Sequence, residues 1–184
     1  MIKVLDDLIS KEFQKEIFNE LKDISWNFLE TVTFEDSEED LNSGFYKMVY
    51  SISEDKPIIE EKLYYALYPH IKNIIDEFDI NDEFEELYRI KIGMFVKNQS
   101  RYLDALHHSP HVDSFEPHYT ILYYVMDSDG PTYIFNKKKK VVARIEPKMG
   151  RSVLMSGDVY HASSCPRLNN RRIVLNINFG KKYV

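Results

Sequence analysis

The first half of the chain carries apolar residues at helical spacing in two segments. In residues 11–23 these positions are Phe13, Ile17, Phe18 and Leu21. Ser10 precedes this segment and is suited to cap a helix. In residues 57–78, where Pro57 is suited to a first turn, a longer apolar face contains Ile59, Leu63, Ala66, Leu67, Ile71, Ile74 and Ile75. The pattern therefore predicts two helices, which we expect to form a supporting layer.

From about residue 85 the pattern changes to short segments rich in Val, Ile, Tyr and Phe, with apolar and polar positions alternating. Together with an earlier segment at residues 45–52, the predicted strands are residues 87–97, 119–126, 132–135, 141–145, 152–155, 159–162 and 172–179. Many short strands after a helical start predict a mainly β fold with N-terminal helices, either a helix-supported β-sandwich or a jelly roll.

Length and composition predict one ordinary domain over residues 1–184, since 43% of the 184 residues are apolar. The longest apolar run, residues 119–126, is far shorter than the roughly 20 residues of a membrane helix, so no membrane association is expected. Asp6 and Asp7 interrupt the N-terminal apolar stretch, which argues against a cleaved leader. Cys165 is the only cysteine. A single cysteine cannot form an intrachain disulfide and favours a reducing, cytoplasmic location.

The two halves of the chain differ in charge. Residues 1–92 hold 10 basic and 23 acidic side chains, a net charge of −13, whereas residues 93–184 hold 14 and 7, a net charge of +7. An acidic first half is typical of solvated helical faces. A basic second half favours an anion, which charge alone leaves open as a small anionic co-substrate, an acidic protein or a nucleic acid.

The candidate chemistry lies in two histidine-containing segments of the second half. His111 and Asp113 are two positions apart, so both side chains project from the same face of an extended backbone. Such a pair is weak evidence by itself, but His161, in a later predicted strand, adds a second histidine. Two histidines and one carboxylate form the facial triad of non-heme Fe(II) sites, which leaves open coordination positions for substrates.

A cation follows the second histidine at the start of the last predicted strand. Arg172 shares the more polar face of that strand with Val174, Asn176 and Asn178. A guanidinium there is suited to hold a small carboxylate through two hydrogen bonds. Arg171 is the alternative, because a bulge before the strand would exchange the two faces.

The order His-x-Asp, His, Arg over these strands resembles the 2-oxoglutarate- and Fe(II)-dependent oxygenases, in particular the prolyl-hydroxylase type. The similar segments are Pro110-His111-Val112-Asp113 and residues 120–125, 145–151, 161–166 and 172–176, within a resemblance that covers about residues 87–180. Residues 8–12 and Trp26 also resemble small oxygenases encoded by bacterial viruses. The resemblance implies a double-stranded β-helix, the cupin-like jelly roll. Residues 1–84 would then supply the helical support and first strand, and residues 85–184 the catalytic core.

The resemblance also implies roles for individual residues. His111, Asp113 and His161 would bind Fe(II), and Arg172 would pair with the distal carboxylate of 2-oxoglutarate. Three further positions would contribute to the co-substrate pocket: Tyr124 by hydrogen-bonding the same carboxylate, Asn176 by lining the pocket, and Leu122 by packing against the co-substrate. The metal ligands would be the only catalytic residues. Four residues near the motif are given no role: Tyr102, His107, His108 and His118.

The implied reaction consumes 2-oxoglutarate and dioxygen, releases succinate and hydroxylates a substrate, with ascorbate as a candidate reductant. A protein or peptide side chain is the first expectation for that substrate, and nucleic acid is the alternative. If the protein is viral, its expected location is the host cytoplasm. Two other classes compete with this reading: a non-enzymatic jelly-roll metal-binding or interaction protein, and a cupin-type metalloenzyme that does not use 2-oxoglutarate.

Overall fold

Eleven strands and two helices form the described part of the chain, which is residues 1–30, 43–52, 57–80, 86–97 and 107–180 of a computed structural model. The helices are α1 (Lys11–Glu20) and α2 (Glu61–Glu77). The strands are β1 (Ile2–Asp6), β2 (Asn27–Leu29), β3 (Gly44–Ser51), β4 (Ile58–Ile59), β5 (Glu86–Val96), β6 (His118–Tyr124), β7 (Thr132–Phe135), β8 (Val141–Ile145), β9 (Arg151–Ser156), β10 (His161–Ala162) and β11 (Arg171–Gly180).

The strands form two antiparallel sheets. The larger has the order β1-β9-β6-β11-β5-β3-β2, with β4 paired to β3, and the smaller has the order β10-β7-β8. Between the sheets lies an apolar cluster that joins Leu122 and Val174 of the larger sheet to Ile134 and Ile145 of the smaller one. Two antiparallel sheets packed face to face in this way are typical of a jelly roll. The predicted mainly β fold with N-terminal helices is confirmed.

The two helices cover the other face of the larger sheet. Their buried side chains, among them Ile17 of α1 and Leu67 and Ile71 of α2, pack in one cluster with Ile173 and Leu175 of β11. Alternate residues of β11 therefore face the helices and the smaller sheet, as the period of two predicts. Neither described helix is long and apolar enough to cross a lipid bilayer.

The second helix begins four residues later than its apolar pattern predicts. Ile58 and Ile59 pair with Ser51 and Tyr50 as strand β4, so Pro57 is not in the first turn. Glu60 is the N-cap, and its carboxylate accepts a hydrogen bond from the backbone N–H of Leu63 at 3.0 Å. Pairing with an existing strand thus replaces the first helical turn that the sequence pattern favours.

Two short strands near the N-terminus were not predicted. Strand β1 pairs with β9, with Ile2 opposite Met155 and Asp6 opposite Arg151, and β2 pairs with β3. Both strands lie at the ends of the larger sheet and are largely exposed, so they lack the buried and exposed alternation by which strands are recognised. Their pairing partners, not their own patterns, define them.

Candidate metal centre

A cleft between the two sheets is lined by most of the residues singled out in the sequence: Leu122, Asn176, Arg172 and the three predicted metal ligands. About 650 Å³ of space in this cleft is free of protein atoms, and part of that space is open to solvent. One wall is formed by alternate residues of two neighbouring strands, Lys91, Gly93 and Phe95 of β5 and Arg172, Val174 and Asn176 of β11. The rim beside β5 carries Leu29, Phe45 and Tyr46 of strands β2 and β3, which continue the same sheet. The lining of the cleft therefore combines apolar and aromatic residues with polar and charged ones.

His111, Asp113 and His161 meet inside this cleft. Their candidate ligand atoms all lie within 4.8 Å of one another, and the Nε2 atom of His161 is 3.8 Å from Oδ2 of Asp113. The two histidines come from distant parts of the chain but form an isolated antiparallel β-bridge, which places their ring centroids 4.8 Å apart. Two imidazoles and one carboxylate on one side of a buried point are the donor set of a facial metal site. The residues present therefore fit a divalent metal ion such as Fe(II).

The two imidazole rings are oriented by the same local device. Nδ1 of His111 lies 3.1 Å from the carbonyl oxygen of Ser109, and Nδ1 of His161 lies 3.1 Å from that of Val159, in each case two residues upstream. A carbonyl oxygen accepts a hydrogen bond, so Nδ1 carries the proton and Nε2 presents its lone pair. Burial, together with the neighbouring His161, lowers the pKa of His111 and favours the neutral, metal-binding form.

Asp113 is held by four side chains from three strands. Arg89 donates from Nη2 to Oδ1 at 2.8 Å, and Asn176 donates from Nδ2 to both carboxylate oxygens at 3.1 Å. Thr120 and Asn178 donate to Oδ2 at 2.9 and 3.1 Å. Burial raises the pKa of this carboxyl, but the charge of Arg89, the nearby histidine rings and the hydrogen bond from Asn178 outweigh it and hold the pKa far below its usual range. Asp113 is thus a fixed, ionised ligand.

Arg172 lies deeper in the same cleft, and its side chain is only 1% exposed. Its Nη2 atom donates to the hydroxyl oxygen of Thr132 at 2.7 Å, and the hydroxyl of Tyr124 donates to the same oxygen at 2.7 Å. The guanidinium carbon is 5.6 and 5.7 Å from the ring centroids of Tyr124 and Phe95. Within the described residues its Nε and Nη1 atoms are buried without a hydrogen-bond partner. A buried cation with two such donors is suited to an anionic ligand.

The other predicted site residues lie near the metal-binding triad or near Arg172. Leu122 lines the cleft and packs in the cluster with Val174, and Tyr124 is fully buried beside Arg172. Asn176 lines the cleft and uses its side-chain amide to hold Asp113. Arg171 does not line the cleft. The register shift between β11 and β5 falls at residues 178 and 179, after these positions, so the faces at the start of β11 are not exchanged.

The remaining histidines lie outside the triad. His107 packs against the rings of Tyr133 and Phe135, and Nδ1 of His108 lies 3.0 Å from Oγ of Ser163. His118 lines a separate cavity with Tyr119 and Gly157. Tyr102 lies outside the described residues.

Several residues of the site were not singled out from the sequence, among them Thr120, which donates to Asp113. Arg89 and Lys91 occupy alternate positions of β5, on the same face as Gly93, so a period of two among polar residues in an otherwise apolar strand was the available signal. Thr132 begins β7 and gave no such signal.

The comparisons with known proteins identify the fold. No protein-family model and no curated protein sequence matches the chain. Among solved structures, an oxidoreductase of the 2OG–Fe(II) oxygenase family from Burkholderia pseudomallei is 12% identical with a TM-score of 0.73, over 98% of this chain and 86% of that one. A prolyl hydroxylase from Trichoplax adhaerens, in complex with a hypoxia inducible factor peptide fragment, is 12% identical with a TM-score of 0.69, over 98% and 83%. A viral collagen prolyl hydroxylase from Paramecium Bursaria Chlorella virus-1, in complex with 2OG, is 12% identical with a TM-score of 0.57, over 97% and 96%. The chain therefore has the jelly-roll fold of the 2OG–Fe(II) oxygenases, in agreement with the resemblance of its motifs.

Proposed function

We propose that this protein is a 2-oxoglutarate- and Fe(II)-dependent oxygenase that hydroxylates a protein or peptide side chain. The observation that carries the proposal is the pairing of two features in one cleft. These are the triad of His111, Asp113 and His161, and the buried guanidinium of Arg172 with two unpartnered donor atoms. A metal site alone would suit many proteins. A metal site beside a buried cation suits a co-substrate that is both a chelator and an acid.

Each residue has a defined task in this reaction. His111, Asp113 and His161 hold Fe(II) on one side, which leaves the other side open. Arg172 binds the distal carboxylate of 2-oxoglutarate, and Thr132 holds the guanidinium in place through its hydroxyl oxygen. Leu122 packs beside the co-substrate and helps to exclude water from it.

The metal and co-substrate supply the oxidising chemistry when bound. One oxygen atom of O₂ enters succinate as 2-oxoglutarate loses CO₂. The other oxygen atom is inserted into a C–H bond of the substrate to form a hydroxyl group. Ascorbate is the reductant that we would add to maintain Fe(II).

The proposed substrate class rests on two of the structurally similar proteins, both of which are prolyl hydroxylases. The Trichoplax enzyme is a prolyl hydroxylase in complex with a peptide fragment, and the chlorella virus enzyme is a collagen prolyl hydroxylase. The similarity to these two enzymes favours a peptide substrate over a nucleic acid. A viral origin stays a prediction, which the chlorella virus neighbour favours only weakly.

The test is an anaerobic titration of the purified protein with Fe(II) and then 2-oxoglutarate, following the visible charge-transfer absorption of the chelate. We expect an absorption band that saturates near one equivalent of each. Succinate, which lacks the 2-oxo group, is the matched control and should give no band. Iron binding without a band would favour a cupin-type metalloenzyme, and the absence of iron binding would favour a non-enzymatic interaction protein.

A further inference from the structure

Lys91 is a second cation in the same cleft, on the opposite side of Asn176 from the co-substrate residues of β6. It lies on β5 directly opposite Asn176 of β11, the residue whose amide holds Asp113. Directly opposed residues of antiparallel strands have Cβ atoms about 5 Å apart on the same face of the sheet. Lys91 therefore lies next to the metal ligands and lines the cleft with them.

The described residues give Lys91 no ion pair. Its ammonium lies 5.5 Å from the ring centroid of Tyr46 at the rim of the cleft. Burial, together with the charge of Arg89, lowers the pKa of Lys91, while Asp113 acts in the opposite direction. Arg89 is itself paired with Asp113, so that carboxylate is already shared. A half-buried ammonium in this position gains free energy from any anion that enters the cleft.

The loaded site leaves Lys91 uncompensated. In the proposed complex Fe(II) and the guanidinium groups of Arg89 and Arg172 carry four positive charges, against three negative charges on Asp113 and the 2-oxoglutarate dianion. Arg172 contacts the distal carboxylate of the co-substrate. The ammonium of Lys91 adds a further positive charge and is the cation in the lining without an assigned partner, and it lies on the side of the cleft formed by Tyr46.

The surroundings of Lys91 favour a carboxylate over a phosphate. Phosphate sites typically combine several donors, such as backbone N–H groups, guanidinium groups or helix N-termini. The ammonium of Lys91 lies beside the ring of Tyr46, in a lining that also contains Leu29 and Phe45, and the neighbouring guanidinium of Arg89 is already paired with Asp113. One point charge next to an apolar rim suits a singly charged group carried on an apolar or peptide framework.

We infer that Lys91 forms an anion subsite that binds a carboxylate of the substrate, so that the substrate is an acidic peptide. This inference rests on the proposed function. The carboxylate could belong to an acidic side chain near the hydroxylated residue or to the C-terminus of the peptide, and the test distinguishes the two sources.

The experiment measures the acetylation rate of individual lysines by mass spectrometry, using trace labelled acetic anhydride on protein loaded anaerobically with Fe(II) and 2-oxoglutarate. Two matched pairs of probes are added: N-acetyl-aspartate amide against N-acetyl-asparagine amide, and N-acetyl-alanine against N-acetyl-alanine amide. Inorganic phosphate is the fifth probe. Lys47 is the internal control, because it lies on β3 opposite Ile92, on the helix-covered face of the sheet.

We expect one acidic probe to slow the acetylation of Lys91 about fivefold or more when it is well above its dissociation constant, with its neutral partner and Lys47 unaffected. Slowing by N-acetyl-aspartate amide assigns the site to a side chain, and slowing by N-acetyl-alanine assigns it to a C-terminus. Equal slowing by acid and amide, no slowing by either acid, or stronger slowing by phosphate would each overturn the inference.

Two further measurements separate this inference from the proposed function. The chelate absorption is recorded in the same sample, so its absence rejects the proposed function, whereas its presence with an unprotected Lys91 rejects the subsite alone. A Lys91→Met variant, with Lys47→Met as the matched control, should form the chelate at an unchanged 2-oxoglutarate concentration. Loss of the chelate in Lys91→Met alone would assign Lys91 to the co-substrate and overturn the inference.

Discussion

His111 and His161 donate their backbone N–H groups to each other's carbonyl oxygens, at 3.0 and 2.9 Å. This bridge joins the start of the His-x-Asp segment to β10 and so sets the separation of the two rings through the backbone. Because each ring is also oriented by a carbonyl two residues upstream, the backbone positions both imidazoles. Asp113, by contrast, is positioned by side chains. The triad thus combines two independent means of support.

Replacing Asp113 by Ala should abolish tight metal binding. The change removes the only charged ligand of the triad and leaves the donors of Arg89, Thr120 and Asn178 aimed at an empty space. Because loss of an outer partner alone typically costs 10–100-fold in metal affinity, we expect a loss of roughly 100-fold or more, measured by anaerobic Fe(II) titration. Asp158→Ala, an exposed carboxylate three residues before His161, is the control. Wild-type affinity in Asp113→Ala would refute the triad.

Arg172 and Arg171 should differ sharply in their effect on the co-substrate. Arg172 is buried in the cleft, whereas Arg171 lies outside its lining. Loss of a charged hydrogen bond costs about 1.5–3 kcal/mol, which corresponds to roughly 10- to 150-fold in affinity. Arg172→Ala should therefore raise the 2-oxoglutarate concentration for half-maximal chelate absorption by that factor while Fe(II) still binds. Arg171→Ala should leave it unchanged, and the reverse outcome would assign the role to Arg171.

Local patterns were sufficient to predict much of this arrangement. The alternation along β11 placed Arg172 and Asn176 on one face, and the structure has them in the cleft while Ile173 and Leu175 pack under the helices. The two amphipathic helices were predicted for the same reason, since a buried face leaves a periodic record in the sequence. When one face of a strand or helix is buried, its sequence pattern alone predicts which side chains lie on that face, without knowledge of the neighbouring elements.

Features that depend on pairing could not be predicted in this way. Strand β1 is mostly exposed and exists because β9, about 150 residues later, offers it hydrogen bonds. The support of Asp113 likewise requires β5, β6 and β11 to lie side by side, which brings Arg89, Thr120 and Asn178 to one carboxylate. Nothing in the neighbourhood of Arg89 in the sequence indicates its partner.

The stability of the metal-free protein should fall as the pH is lowered through the range in which histidine titrates. Burial lowers the pKa of His111 from its ordinary value of 6.5, so the unfolded chain binds this proton at a higher pH than the folded chain does. The contribution of neutral His111 is therefore present above pH 6.5 and is lost as the pH falls below it. We expect the melting temperature of His111→Asn to depend less on pH than that of the wild type between about pH 7 and about pH 5. Parallel curves for the two proteins would contradict this assignment.

Substitution by Ala should destabilise the protein at Gly150 but have little effect at Gly93. Gly150 precedes β9 with a φ of +82°, and a Cβ atom there would lie 2.5 Å from the side chain of Gln14, which is itself buried. Backbone strain of this kind costs of order 1–3 kcal/mol, and displacement of Gln14 would also disturb its hydrogen bond to the carbonyl oxygen of Ile9. Gly93 has no such restraint, because an added Cβ would meet Val174 at 3.7 Å, an ordinary contact.

We therefore expect Gly150→Ala to lower the free energy of unfolding by about 1–3 kcal/mol in urea denaturation, with Gly93→Ala within about 0.5 kcal/mol of the wild type. Because Gly93 lines the cleft between Lys91 and Phe95, its variant also tests how closely substrate approaches β5. An unchanged stability combined with weaker binding of an acidic peptide would place the substrate against this strand. A Gly150→Ala variant as stable as the wild type would show instead that the left-handed backbone at Gly150 carries no particular cost.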